Sequence, residues 1–206
     1  MRLSEIKVKP NAVFLNIPYD TEFQPLYLAY IAGLIHLGFE PRATLGIPGG
    51  TRRLEKILAE LAGCRYSVHD LSRVQLDRNL PKTPRFNMPF ELGLAVTWAE
   101  LNPAKHSWFV FEQQPYRIQK SLSDLNGTDP HLHEGRVAGV MSGLCNAFVR
   151  PTHQPRVNDM IATHRVITRK LAAILEEAGA ETPFEARAFQ SLCYTARVAA
   201  EKYLRR

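Results

Sequence analysis

The sequence predicts an α/β fold, with a doubly wound, mostly parallel sheet of flavodoxin or Rossmann-like type over residues 1–150 and a C-terminal helical hairpin over 151–206. Three observations carry this expectation. Short apolar runs that stop at turn or polar residues alternate with segments of helical spacing, the pattern of βαβ units and right-handed crossovers. Polar side chains gather where the strand-like runs end, and that is where parallel sheets place their ligands. Beyond Pro151 and Pro155 only helical spacing remains.

The run AVFLNI at residues 12–17 stops at Pro18, as a buried strand does. From Phe23 to Leu37 the apolar residues Phe23, Leu26, Tyr27, Tyr30, Ile31, Leu34 and Ile35 follow helical spacing, and Gly38 closes the segment. Phe39–Leu45 reads as a second strand. A second helix runs from about Thr51 to Ala62 on Leu54, Ile57, Leu58 and Leu61. Tyr66–Leu71 is a third strand, ending in His69, Asp70 and Ser72. After a polar loop, Pro89 is placed to open a helix reading PFELGLAVTWAEL, with Glu91 in its first turn. HSWFVFE, at 106–112, is a fourth strand. Tyr116–Leu125 and Val137–Phe148 read as further helices. In the last part, Val157 to Leu175 forms one amphipathic helix. A second carries Phe184, Ala188, Leu192, Ala196, Ala199 and Tyr203 on one face. Such a pair cannot bury both faces alone, so it packs on the sheet or on another chain. A second subunit is the preferred cover, giving a homo-oligomer, and a protein partner on these helices is also compatible.

The chain has 206 residues, 45% of them hydrophobic, which is ordinary globular composition. No apolar run approaches the ~18–20 residues of a membrane span. The N-terminal residues lack a secretory signal pattern, and the three cysteines are too scattered for a disulfide framework, so a cytoplasmic location is expected. The net charge of +6 is spread evenly along the chain, which disfavours nucleic acid as the partner and leaves anionic small ligands compatible. His131 and His133 with Asp129 and Glu134 have a metal-like composition but crowd into one loop, and no metal is expected there.

The predicted carboxyl edge collects Asn16, Tyr19 and Asp20 after the first strand, the loop Gly46–Arg53 after the second, and His69, Asp70 and Ser72 after the third. The loop and helix that follow add Arg85, Asn87 and Glu91. Gly93 and Ala95 are small, and small residues let the helix lie close to the sheet and hold Glu91 firmly. The glycines and arginines of the Gly46–Arg53 loop precede a helix N-terminus and can bind a phosphate. Asn16, Asp20, Asp70, Ser72 and Glu91 are expected to converge on one pocket.

The order Phe14-Leu-Asn-Ile-Pro-Tyr, His69-Asp70-Leu-Ser72 and Asn87-Met-Pro-Phe-Glu91-Leu-Gly93-Leu-Ala95 resembles the nucleoside 2-deoxyribosyltransferase-like superfamily over about residues 10–150. The resemblance implies an N-glycoside hydrolase or transferase acting on a nucleoside, a nucleotide or NAD without a cofactor. Glu91 would be the nucleophile in a pattern of the type E-x-G-x-A. Asp70 would bind the sugar or assist the leaving base, with His69 as another candidate. Asn126 is the position from which an asparagine would complete a neighbour's site. Related carboxylate chemistry occurs in TIR-type NAD hydrolases, and deoxyribosyltransferase-like domains also occur in bacterial antiphage systems. This chain departs from the family where Asp-Gly-Thr often precedes the glutamate, having Arg85-Phe-Asn87-Met-Pro instead. The alternative from another class is a non-catalytic nucleotide-binding sensor or scaffold.

Overall fold

The computed structural model describes residues 3–45, 52–73, 76, 80–151 and 154–204. Its strands are β1 (Lys9–Asn16), β2 (Glu40–Arg42), β3 (Cys64–Asp70), β4 (Ser107–Glu112) and β5 (His131–Leu132). All pair in parallel, in the order β2-β1-β3-β4-β5. The helices are α1 (Gln24–His36), α2 (Arg53–Gly63), α3 (Asn87–Leu101), α4 (Arg117–Ser121), α5 (Val137–Ala147), α6 (Val157–Ala178) and α7 (Ala186–Leu204). The expected doubly wound sheet and its C-terminal helices are present. The strand β5 lies in a segment read as loop, because two residues paired to Phe111 and Glu112 carry no visible alternation. No helix among the described residues is long and apolar enough to cross a membrane.

Alternation along the central strands sorts side chains to two faces. Val13, Leu15 and Ile17 join α1, α5, α6 and α7 in the main core, while Ala12 and Phe14 pack with Ile57 and Leu61 of α2 and Ala95 of α3. On β3, Val68 belongs to the first face. The helix α1 is buried at every residue from Leu26 to His36, because the sheet lies on one side of it and the hairpin on the other.

The hairpin is therefore part of the same core. Phe189, Leu192, Ala196 and Ala200 of α7 and Met160, Ile167 and Ile174 of α6 are buried in it. Of the stripe expected to need a cover, Ala188, Leu192 and Ala196 are buried within the chain, and Phe184, Ala199 and Tyr203 are half-buried. At the junction near residue 150 the chain is tied down as well: the Arg150 guanidinium stacks over Phe39 at 4.3 Å and donates to the Leu37 carbonyl.

Candidate functional site

In this strand order β1 is the switch point: α1 leaves it on one face, and α3 leaves the adjacent β3 on the other. Ligands of doubly wound sheets lie in the crevice so formed. A cavity of about 190 Å³ occupies that place. Asn16, Ile17, Pro18 and Tyr19 line it from the end of β1, Arg53 from the start of α2, and Arg85, Asn87, Met88 and Glu91 from the entry to α3. Of the residues expected at the carboxyl edge, Asn16, Tyr19, Arg53, Arg85, Asn87 and Glu91 lie together on this cavity. The residues Gly46–Thr51 of the expected phosphate loop lie outside the described residues.

The Glu91 carboxyl dominates the pocket. The helix α3 starts at Asn87, so Glu91 stands in its second turn and not its first, and Pro89 is the third residue, where the missing N–H has no intrahelical acceptor to lose. Glu91 is only 4% exposed. Burial pushes its carboxyl up to about 7, with Arg53 pulling the other way. Among the described residues no side chain or backbone N–H hydrogen-bonds it. Of the two small residues expected to let α3 approach the sheet, only Ala95 does so: it is fully buried against Ala12 and Phe14, whereas Gly93 faces open space.

Asp70 does not join Glu91. It follows Val68 in the alternation and points to the α1 face, away from α3. There, fully buried, it accepts from the Tyr30 hydroxyl at 2.6 Å and from the Ser72 N–H at 2.9 Å, and lies 3.2 Å from Nε2 of His133. Ser72 belongs to the same cluster, its Oγ 2.8 Å from the same His133 nitrogen. The expected pocket of two facing carboxylates is not formed, and the family reading loses its second carboxylate. Asp20 stands beside the pocket without lining it. It accepts from the Phe23 N–H at 2.9 Å, as a turn-capping residue does, and pairs with Arg73 at 2.9 Å and Arg85 at 3.2 Å. Burial works to raise its carboxyl, but the bonds from Arg73 and Phe23 and the charges of Arg73 and Arg85 outweigh burial and hold it below the ordinary value. Asn126 is exposed in the loop before β5 and does not line the pocket.

On the pocket side of the sheet, Asn16 is anchored from behind. Its Nδ2 donates to the Met88 carbonyl at 3.0 Å and lies 2.9 Å from Nδ1 of His69. His69, expected as a proton donor to a leaving base, is fully buried. Its pKa is depressed to about 3 by burial, with His106 adding to the effect, so it is neutral in the working range and is no acid for a leaving base. Tyr19 donates to the Leu15 carbonyl at 3.2 Å. Burial and then the Glu91 charge push its phenol well above the usual range, so it remains a neutral donor. The ring of Phe184, from the α6–α7 loop, lies 6.1 Å from that of Tyr19 and ties the hairpin to the pocket wall.

A larger cavity, about 430 Å³, opens between β2, α2 and α7. Most of its charges are spent on one another: Arg42 pairs with Glu40 at 3.2 Å and with Glu60 at 3.0 Å, and Lys56 reaches Glu60 at 3.3 Å, while Arg197 also lines it. Its one thiol, Cys193, is pushed up to about 12 by burial and is inert. The smaller cavity, with its unpartnered carboxyl and two arginines, is the place where chemistry is available. Among the described residues no group of three or more His, Cys, Asp or Glu is arranged to hold a metal ion.

Comparison with known protein families, curated proteins and solved structures returned no match. The chain is thus defined by what it contains: a doubly wound α/β sheet with a polar cleft at its switch point, centred on Glu91.

Proposed function

We propose that the Glu91 cleft binds a nucleoside, a nucleotide or NAD, and that the chain cleaves the N-glycosidic bond of that ligand. The observation that carries this reading is a nearly buried carboxyl with no hydrogen-bond partner among the described residues, facing a cleft shared with Arg53 and Arg85. A carboxylate so held has no partner to dull it, and an oxocarbenium-like centre is what it would stabilise. In this reaction a Glu91 oxygen bonds to the anomeric carbon as the C–N bond breaks, and the base departs with the bonding pair. Water, or a second base, then displaces Glu91 from the sugar. Resemblance to the deoxyribosyltransferase-like superfamily supports the reading through Asn87 and Glu91, and no longer through Asp70.

The cleft narrows the leaving group. With Asp70 and Ser72 turned to the other face and His69 neutral, Glu91 is the one acidic side chain among the described residues lining it. A base that must be protonated to leave finds no donor acid among the described lining residues. A pyridinium leaves as a neutral molecule and needs none, so NAD fits better than an ordinary nucleoside. The test is incubation with nucleosides, nucleotides and NAD while free base is followed by chromatography. Wild type is expected to release nicotinamide fastest, and folded Glu91→Gln to release nothing. Base release retained by that variant would remove Glu91 from the mechanism.

A second reading, a nucleotide-binding sensor without turnover, is favoured by one observation: Asp70 is fully engaged with Tyr30, Ser72 and His133. Tight binding of a panel member with no base released identifies it.

A further inference from the structure

Behind the cleft, a row of polar side chains runs the length of β3 on the face it shares with α2 and α3. Asn16 meets His69 at 2.9 Å, His69 meets Ser67 at 2.8 Å, Ser67 meets His106 at 2.9 Å, and His106 Nδ1 meets the Cys64 carbonyl at 2.9 Å. All of these side chains are buried. One end fixes the direction of every bond. A carbonyl only accepts, so His106 Nδ1 carries the proton and its Nε2 accepts from the Ser67 hydroxyl. That hydroxyl, having donated, accepts from His69 Nε2–H. His69 Nδ1 is then left as an acceptor, and the Asn16 NH2 supplies it. The other end agrees independently: the Met88 carbonyl needs the second hydrogen of the same NH2. Reversing the Asn16 amide would set its oxygen against the Met88 carbonyl and against the bare nitrogen of His69.

Both hydrogens of Asn16 are therefore used on the protein side. The carbonyl oxygen is the atom left without a partner among the described residues, in a side chain that lines the Glu91 cleft.

We infer that the Ser67–His69–His106 chain is a positioning device that locks Asn16 with its carbonyl oxygen toward the cleft, so that the site selects a ligand presenting a hydrogen-bond donor, such as a sugar hydroxyl, beside Glu91. The inference rests on the proposal that the Glu91 cleft is the ligand site. Two neutral imidazoles and a hydroxyl on an otherwise apolar sheet face are costlier to bury than the aliphatic side chains that would fill the space. A directed chain is what the polar choice adds. His69 and Ser67 are positioning residues in this scheme, and the selecting contact is made by Asn16.

The experiment has two arms. In the intact wild-type chain, nitrogen-15 NMR of the imidazoles reads the tautomers: His69 is expected protonated at Nε2 and His106 at Nδ1. The opposite tautomer at either residue overturns the inference, whatever the ligand. In the second arm, calorimetric binding is measured for NAD and the common ribonucleoside 5′-monophosphates, each beside its 2′-deoxy and 3′-deoxy counterpart. The Glu91→Gln background prevents turnover. One hydroxyl is expected to be preferred by about tenfold or more, the usual worth of a buried donor–acceptor pair. Adding Ser67→Ala, which lines no part of the cleft, should erase that preference while the deoxy ligand still binds. Binding without preference, or a preference that survives Ser67→Ala, overturns the inference and leaves the cleft reading standing. A panel in which nothing binds overturns both.

Discussion

Burial raises the Glu91 carboxyl from 4.5 to about 7, so between those values the folded chain holds a proton that the unfolded chain has already released. Stability therefore falls as pH rises through this window, the reverse of what a salt-bridged carboxylate does. Glu91→Gln removes the penalty, and it is expected to be more stable than wild type by about 3 kcal/mol at pH 8 and equal to it near pH 4. Denaturant titrations of both chains at the two values check this, and parallel curves would mean the carboxyl is not raised. The same group sets the rate profile: a nucleophile must be ionised, so base release should climb with pH through about 7 and then level. A rate that falls through that range would recast Glu91 as an acid. At this scale the sequence was informative about type and not about direction. His69 and Asp70 are neighbours on a strand, so only one of them can share a face with Asn16. Which one it is depends on the register of β1 against β3, where Asn16 pairs with His69, and that is a property of the whole sheet. The polar pair Ser67 and His69, alternating with Tyr66 and Val68, was a visible signal for the buried chain. Of the pair only His69 stands out in the sequence, as a candidate to assist the leaving base, and Ser67 is not among the residues singled out.

The elements respond to glycine in opposite ways, which exposes how each is packed. In α3, Gly93 is exposed and a Cβ there meets nothing within 4 Å, so Gly93→Ala should add roughly 0.5–1 kcal/mol through helix propensity alone. In α5, a Cβ on Gly139 would stand 2.2 Å from the His133 backbone oxygen, and one on Gly33 of α1 would stand 2.5 Å from a methyl of Leu144. Gly139→Ala should then cost about 1–3 kcal/mol or more, since backbone cannot give way as a side chain can. Thermal melts of the two alanine variants should shift in opposite directions, and like shifts would contradict the placement of α3 or α5. Gly93 also tempers the family pattern: its smallness is not used for packing, so if it matters it matters to a ligand or to nothing in the fold. Helices with one apolar stripe, such as α2, were legible to within a few residues. The burial of α1 on all sides was not, because the stripe through Tyr27 and Tyr30 marks one face and nothing local shows that α6 and α7 cover the other. Tyr27 and Tyr30 are fully buried with their hydroxyls bonded to the Pro183 carbonyl and to Asp70.

For the whole molecule, the decisive fact is one core shared by the sheet and the hairpin. Histidines report on it: burial holds His36 down at about 4 and His69 at about 3, both neutral in the fold. Unfolded, each binds a proton from about 6.5 downward, so their contribution is fully present above that value and is lost as pH falls toward 3–4. His36 sits between α1 and α6, 2.7 Å from Thr163, so acid should loosen the hairpin and the sheet together in one transition. The shared core also decides what a charge on the hairpin does. Were the α7 stripe an intersubunit face, Leu192→Asp would give a folded monomer. Leu192 is instead fully buried against the sheet-side core, and an unpaired carboxylate there costs several kcal/mol against a total stability of about 5–15. Leu192→Asp is therefore expected to lose its cooperative melt. Tyr194→Asp, one turn-fraction away on the exposed side of the same helix, should stay within about 0.5 kcal/mol of wild type. Circular dichroism melts with light scattering on the same samples distinguish the cases. A Leu192→Asp chain that melts like wild type but scatters at half its mass would return the hairpin to a partner subunit and undo the single-core description.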